Sequence, residues 1–129
     1  VYRSLALAYL GQGKIGEALL SAQRAFRLGQ EEKEIQLQGK IWHTLGEIAL
    51  LNPTGRSTIL IDGVTYRAAA CFTEAWRLFQ QAKQGVSRAK IALLGIWSDY
   101  EQQQGDAEYG RRLAKEANTL ASELGLGKQ

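Results

Sequence analysis

The sequence predicts an all-α protein: an α-α superhelix of three helical hairpins stacked side by side, with a short β-hairpin insert inside the second. Three observations carry that expectation. Apolar residues recur at three-and-four spacing through six segments separated by short breaks. The segments pair off, and each pair repeats one arrangement of bulky and small residues. A single stretch, STILIDGVTYRAA at residues 57–69, departs from the helical rhythm by setting Asp62-Gly63 between β-branched residues.

In chain order, the first helix is expected from about Val1 to Leu10 and ends at Gly11-Gln12-Gly13. The second runs from about Lys14 to Leu28, with Ile15, Leu19, Ala22 and Phe26 as its apolar stripe and Gly29 as a left-handed stop. The third runs from about Glu32 to Leu51, with Ile41, Leu45, Ile48 and Ala49 on one side. Asn52-Pro53 ends it, because a residue before proline is pushed out of the α region. The fourth spans about Thr65 to Gln84, lined by Ala68, Phe72, Ala75, Phe79 and Ala82. Gly85 breaks it, and Ser87 is placed to cap the fifth, which carries Ala89, Leu93, Trp97 and Tyr100 and closes at Gly105. Asp106 caps the sixth, which reaches about Leu124 and stops at Gly125. Connections this short make neighbouring helices antiparallel.

The first helix of each pair carries a bulky residue, a second three positions on, then a small one: Tyr2, Leu5, Ala6; Trp42, Leu45, Gly46; Leu94, Trp97, Ser98. The second helix carries Ala18, Ala22, Ala25; Ala68, Phe72, Ala75; Gly110, Ala114, Ala117. Small residues let two helices approach, and bulky ones fill the space between hairpins. The step from Tyr2 to Trp42 is 40 residues and from Trp42 to Leu94 it is 52, the excess belonging to the insert.

This pattern resembles the tetratricopeptide repeat. The closest stretch is SLALAYLGQGKIGEALLSAQRAF, where Leu5, Ala6, Tyr9, Gly13, Ala18 and Ala25 match the family's residue types. WHTLGEIA matches the start of a second repeat, and YEQQQGDAEYG carries a Gly-Asp turn common in the family. The resemblance implies a single domain over residues 1–129. Its repeats would be about 1–30 (lacking its opening residues), 32–84 with the insert at 52–65, and 87–125. Departures are a step longer than the usual ~34 residues, Ala49 where a tyrosine is usual, Gly110 for an alanine, and no closing proline. The long-helix form resembles repeats in large bacterial signalling and regulatory proteins, including regulators with ATPase modules or linked to nucleotide cyclases.

Within the insert, a two-residue turn at Asp62-Gly63 pairs Ile61 with Val64, Leu60 with Thr65 and Ile59 with Tyr66. Alternation then sets Ile59, Ile61, Val64 and Tyr66 on one face. An isolated hairpin is marginal in water, so that face needs cover. Its own helices provide one cover; a neighbouring domain or chain, reached by apolar contact or strand addition, provides another. Ile59, Ile61 and Tyr66 are the contact candidates.

Composition excludes several function classes. A net charge of +3 with 16 Lys and Arg scattered along 129 residues gives no concentrated basic patch for nucleic acid. No apolar run approaches the ~20 residues of a membrane span. One cysteine, Cys71, rules out an internal disulfide framework and fits a reducing, cytoplasmic setting. There is no methionine, and the chain opens inside a helical pattern, so a piece of a longer protein is expected.

GQGKIG at residues 11–16 satisfies G-x-G-x-x-G formally, but a phosphate loop needs a preceding strand, and SLALAYL reads as helix. One His and one Cys make neither a zinc site nor a supported nucleophile pair. Asp99 and Glu101 diverge on a helix. No enzyme, cofactor or metal is expected; Cys71 in AAACFTEA is expected to be a buried thiol.

Binding remains. The repeat resemblance implies a concave groove lined by the first helices, which holds a protein or peptide. Its candidates here are Arg3 and Leu7, then Lys40, His43 and Glu47, then Asp99 and Gln103. The set mixes signs and lacks the cation cluster that would clamp a terminal carboxylate. The expected function is a non-catalytic protein–protein interaction scaffold. The alternative is an architectural segment that spaces or couples domains without a groove ligand. With Tyr2, Leu5 and Tyr9 lacking a preceding neighbour, a homodimer through the N-terminal hairpin or the insert is also expected.

Overall fold

The computed structural model describes residues 2–32, 34–52, 57–82 and 86–125. The expected breakers Pro53 and Gly85 lie outside these residues, as does Val1. The protein is mostly helical with one small antiparallel sheet. Its elements are α1 (Tyr2–Gly11), α2 (Ile15–Glu32), α3 (Ile35–Leu50), β1 (Thr58–Ile61), β2 (Val64–Arg67), α4 (Ala68–Ala82), α5 (Ser87–Gln104) and α6 (Ala107–Glu123). The chain divides into two compact units, residues 1–81 and 82–129.

In the first unit, α3 is packed by α1, α2, α4 and the β-hairpin. Its contact with α4 is made by rings seated on glycines. A Cβ at Gly39 would stand 2.6 Å from the Phe79 ring, and one at Gly46 would overlap the Phe72 ring. Gly39 and Gly46 are seven residues apart, as are Phe79 and Phe72, and they match in reverse order. The two helices are therefore antiparallel, with two turns in register. Both rings are 0% exposed.

Gly29 corrects an expectation. It does not stop α2, which continues to Glu32. A Cβ there would come within 3.2 Å of Ile41 Cδ1, and the Gln38 amide donates to the Gly29 carbonyl at 3.0 Å. The glycine serves the close approach of α3 rather than a left-handed turn. The turn between α1 and α2 falls at Gly13, within the expected Gly11-Gln12-Gly13 break, with φ of 76°.

The β-hairpin has the register read from the sequence: Thr58↔Arg67, Ile59↔Tyr66, Leu60↔Thr65 and Ile61↔Val64. Asp62 and Gly63 turn it with φ of 47° and 82°, as a primed two-residue turn requires. It lies against its own helices. Ile59 and Ile61 are each 3% exposed, and Tyr66 packs edge-on to Trp42 with ring centroids 5.1 Å apart. Trp42 in turn meets Phe26 of α2 at 5.3 Å. Arg27 pairs with Asp62 at 3.0 Å, and the Gln23 amide donates to the Leu60 carbonyl at 2.8 Å. Val64, on the same face as Ile59, is 50% exposed although Ile61 directly across from it is buried, so the helices cover the β1 side of the hairpin's tip and not the β2 side. The strand claims residues 64–67, so α4 begins at Ala68 rather than near Thr65.

In the second unit, α6 crosses α5 where Gly110 lacks a side chain. A Cβ there would lie 2.9 Å from both the Ser98 carbonyl and the Gln102 nitrogen. The substitution of glycine for alanine noted in the repeat pattern thus allows backbone contact. Glu101, 8% exposed, accepts from Trp97 Nε1 at 3.2 Å and from the Asp106 N–H at 3.0 Å, tying α5 to the start of α6. Asp106 caps α6 through the Tyr109 N–H. Two expectations differ. Val86, not Ser87, stands at the N-cap of α5, without a side-chain bond. Ala117, a small position of the repeat pattern expected to be buried against the neighbouring helix, is half-buried, since it lies in the last turns of α6 beyond its closest approach at Gly110.

Gly39→Ala or Gly46→Ala is expected to destabilise the first unit by about 1–3 kcal/mol through overpacking. Gly95→Ala, whose added Cβ meets nothing within 4 Å in the interior of α5, is expected to stabilise by about 0.5–1 kcal/mol. Urea denaturation of the three variants checks both signs.

Candidate functional site

Three of the residues assigned to the groove come together in the first unit. Arg3 lies in the first turn of α1. His43 and Glu47 lie four apart on α3 and therefore on one face. His43 Nε2 and Glu47 Oε1 are 3.2 Å apart, with side chains 14% and 26% exposed. The His43 ring stands edge-on to Phe72 at 6.3 Å, so the ring seated on Gly46 also fixes the imidazole. Arg3 is half-buried, and its Nε is fully buried with no hydrogen-bond partner among the described residues.

The electrostatics follow from this burial. Desolvation, with the Arg3 charge adding to it, holds His43 down to about 4. The imidazole is therefore neutral at pH 7, and its 3.2 Å contact with Glu47 is not an ion pair. Burial pushes Glu47 upward, and Arg3 opposes that by favouring the carboxylate. The cluster holds a guanidinium, a neutral imidazole and a carboxyl group. It suits recognition of polar groups more than proton transfer near neutrality.

The other candidates fall elsewhere. Leu7 is exposed one turn along α1 from Arg3, and Lys40 is half-buried about one turn before His43. Asp99 and Gln103 are exposed on α5, in the second unit. Of the insert candidates, Ile59 and Ile61 are buried and Tyr66 is half-buried on Trp42, so all three meet their own chain. Sequence reasoning missed Gln23, Arg27 and Asn52, whose side chains hold the hairpin. Gln23 and Arg27 do sit four apart on α2, but nothing local marks their distant partners.

The stretch before Gly11 is helix α1, not the strand that a phosphate loop needs. Cys71 is 0% exposed, and burial pushes its thiol up to about 12, far from the thiolate a nucleophile requires. Among the described residues no group of three or more His, Cys, Asp or Glu is arranged to hold a metal ion. No described helix is long and apolar enough to cross a membrane. The chain matches no model of a known protein family, no curated protein and no solved structure.

His43 sets a sign for acid stability. Its folded value lies below the unfolded 6.5, so between about pH 6.5 and 4 the unfolded chain binds the proton more readily. Stability is expected to fall across that window by up to about 3 kcal/mol, offset in part as Glu47, shifted the other way, takes up its own proton. His43→Gln should flatten the slope in denaturation series at pH 7 and pH 4.5.

Proposed function

We propose that this chain is a tetratricopeptide-like interaction scaffold, a segment of a larger cytoplasmic signalling or regulatory protein that holds a protein or peptide along its first helices. In this reading the two helices of each hairpin pack closely through their small positions. The buried small positions Ala18, Ala22, Ala25, Ala68, Ala75 and Gly110 support that packing, each lying where the repeat pattern expects a close helix approach.

The observation that carries the proposal is the meeting of Arg3 with His43 and Glu47. They belong to the first helices of successive hairpins and are 40 residues or more apart in sequence. Their convergence favours a shared surface over two unrelated helix faces. The Arg3 guanidinium adds a half-buried cation to that surface, its Nε buried and without a hydrogen-bond partner among the described residues. In this reading the groove binds without catalysing; the neutral His43 imidazole and the buried Cys71 thiol accord with that.

Peptides selected on the immobilised chain from a random display library, titrated by calorimetry, test this. Arg3→Met and Glu47→Gln are each expected to weaken binding about tenfold, while Arg111→Gln, exposed on α6, leaves it unchanged. If no peptide is selected, or if binding ignores Arg3 and Glu47, the architectural spacer is the better account.

A further inference from the structure

The two edges of the β-hairpin are treated differently. The Ala68 N–H bonds to the Ser57 carbonyl at 2.9 Å, continuing the ladder one pair beyond Thr58↔Arg67. Narrow pairs therefore fall at 57/68, 59/66 and 61/64, and the backbone groups of residues 58, 60, 65 and 67 point outward. On the β1 edge, both outward carbonyls are closed by side-chain amides. Asn52 Nδ2 donates to Thr58 at 2.6 Å, and Gln23 Nε2 donates to Leu60 at 2.8 Å. On the β2 edge, Thr65 and Arg67 are exposed, and no side chain among the described residues closes the Thr65 N–H and carbonyl. Leu60 and Val64 beside it are 56% and 50% exposed.

We infer that the β2 edge is a strand-addition site whose occupant is β2 of a second copy of this chain, joining two hairpins into a four-stranded antiparallel sheet. This does not rest on the groove. The register is constrained. Only residues whose backbone groups point outward can bond across the new seam, so Thr65 and Arg67 pair with Thr65 or Arg67 of the second copy or lie opposite its turn residue Gly63. Pairing centred on Thr65 uses the strand and its turn, residues 63–67, without entering α4. It sets Val64 beside Tyr66 of the second copy, an apolar–aromatic cross-strand pair. It sets Arg67 opposite Gly63, leaving the two Arg67 side chains about four residues apart along the strand. That is roughly 13 Å, beyond the ~8 Å screening length at physiological salt. Shifting by two residues brings helical Ala68 opposite Val64 and Tyr66 against Tyr66. Shifting by four opposes the two Arg67 directly. The Thr65-centred two-fold is the register that the strand's length and charge allow, and it is closed, so it stops at the dimer.

Seams between strands this short bury far less than the roughly 1,200 Å² of a standard interface, so association is weak. Sedimentation at concentrations on the order of 10 to 500 μM is the measurement. The expected result is a monomer–dimer equilibrium that Thr65→Pro abolishes. Proline removes an N–H that the hairpin itself does not use and is tolerated at an outward edge position. Amide exchange of the unaltered chain gives a second readout: protection of the Thr65 and Arg67 N–H should rise with protein concentration. A chain that stays monomeric throughout overturns the inference. So does a dimer that persists in a folded Thr65→Pro variant, which would point to another face such as Leu5 and Leu20. Protection that appears only when a foreign extended peptide is added also overturns it, leaving the edge open to a different occupant.

Discussion

The packing of Phe72 and Phe79 onto Gly46 and Gly39 is the constraint on which the first unit depends. It aligns α4 with α3, and most of α3 is then committed to neighbouring elements. Ile41 meets Gly29 of α2, Trp42 bridges Phe26 of α2 and Tyr66 of β2, and His43 rests on the Phe72 ring while holding Glu47 near Arg3. A methyl group at Gly46 would displace the ring that fixes His43. The candidate site is thus coupled to the core through one aromatic side chain rather than carried on an independent loop.

The hairpin shows how a marginal element is made stable. Two four-residue strands alone do not hold in water. Here two isoleucines are buried on one face, Tyr66 leans on Trp42, and the β1 edge is closed by Gln23 and Asn52. The surface ion pair Arg27–Asp62 is exposed on both sides and contributes little beyond about 0–1 kcal/mol. Apolar burial decides the placement, and the polar contacts fix orientation at the turn and along one edge. The insert is therefore part of the core of its unit on one side and a bare strand on the other.

What was legible in the sequence follows from the range of the physics involved. The hairpin's register could be read residue by residue, because Asp-Gly between β-branched residues fixes a two-residue turn locally and pairing then propagates from it. The start of α6 was legible for the same reason: Asp106 caps it through a side chain three residues from its donor. Glycines were ambiguous. Gly29 and Gly125 look alike as helix stops, yet only Gly125 has positive φ, and Gly29 is helical because Ile41 needs the space. Local sequence does not reveal an opposing helix. Gln23 and Asn52 were invisible as hairpin ligands because their acceptors are backbone carbonyls, which every residue has.

The candidate site was half legible, and the dividing line is informative. Arg3, His43 and Glu47 were reached by repeat position, and they meet because α1 and α3 both pack in one unit. Asp99 and Gln103 were reached by the same rule but lie on α5 in the other unit. What repeat position did not supply is the electrostatic character of the cluster. A neutral imidazole beside a carboxyl group arises because burial outweighs the attraction that would otherwise protonate His43, and Arg3 adds to that outcome. Arg3, the cation of the cluster, is also the group with a buried donor that lacks an acceptor among the described residues. That imbalance makes the α1–α3 face chemically unfinished in a way that an ordinary solvated helix surface, where water supplies every missing bond, is not.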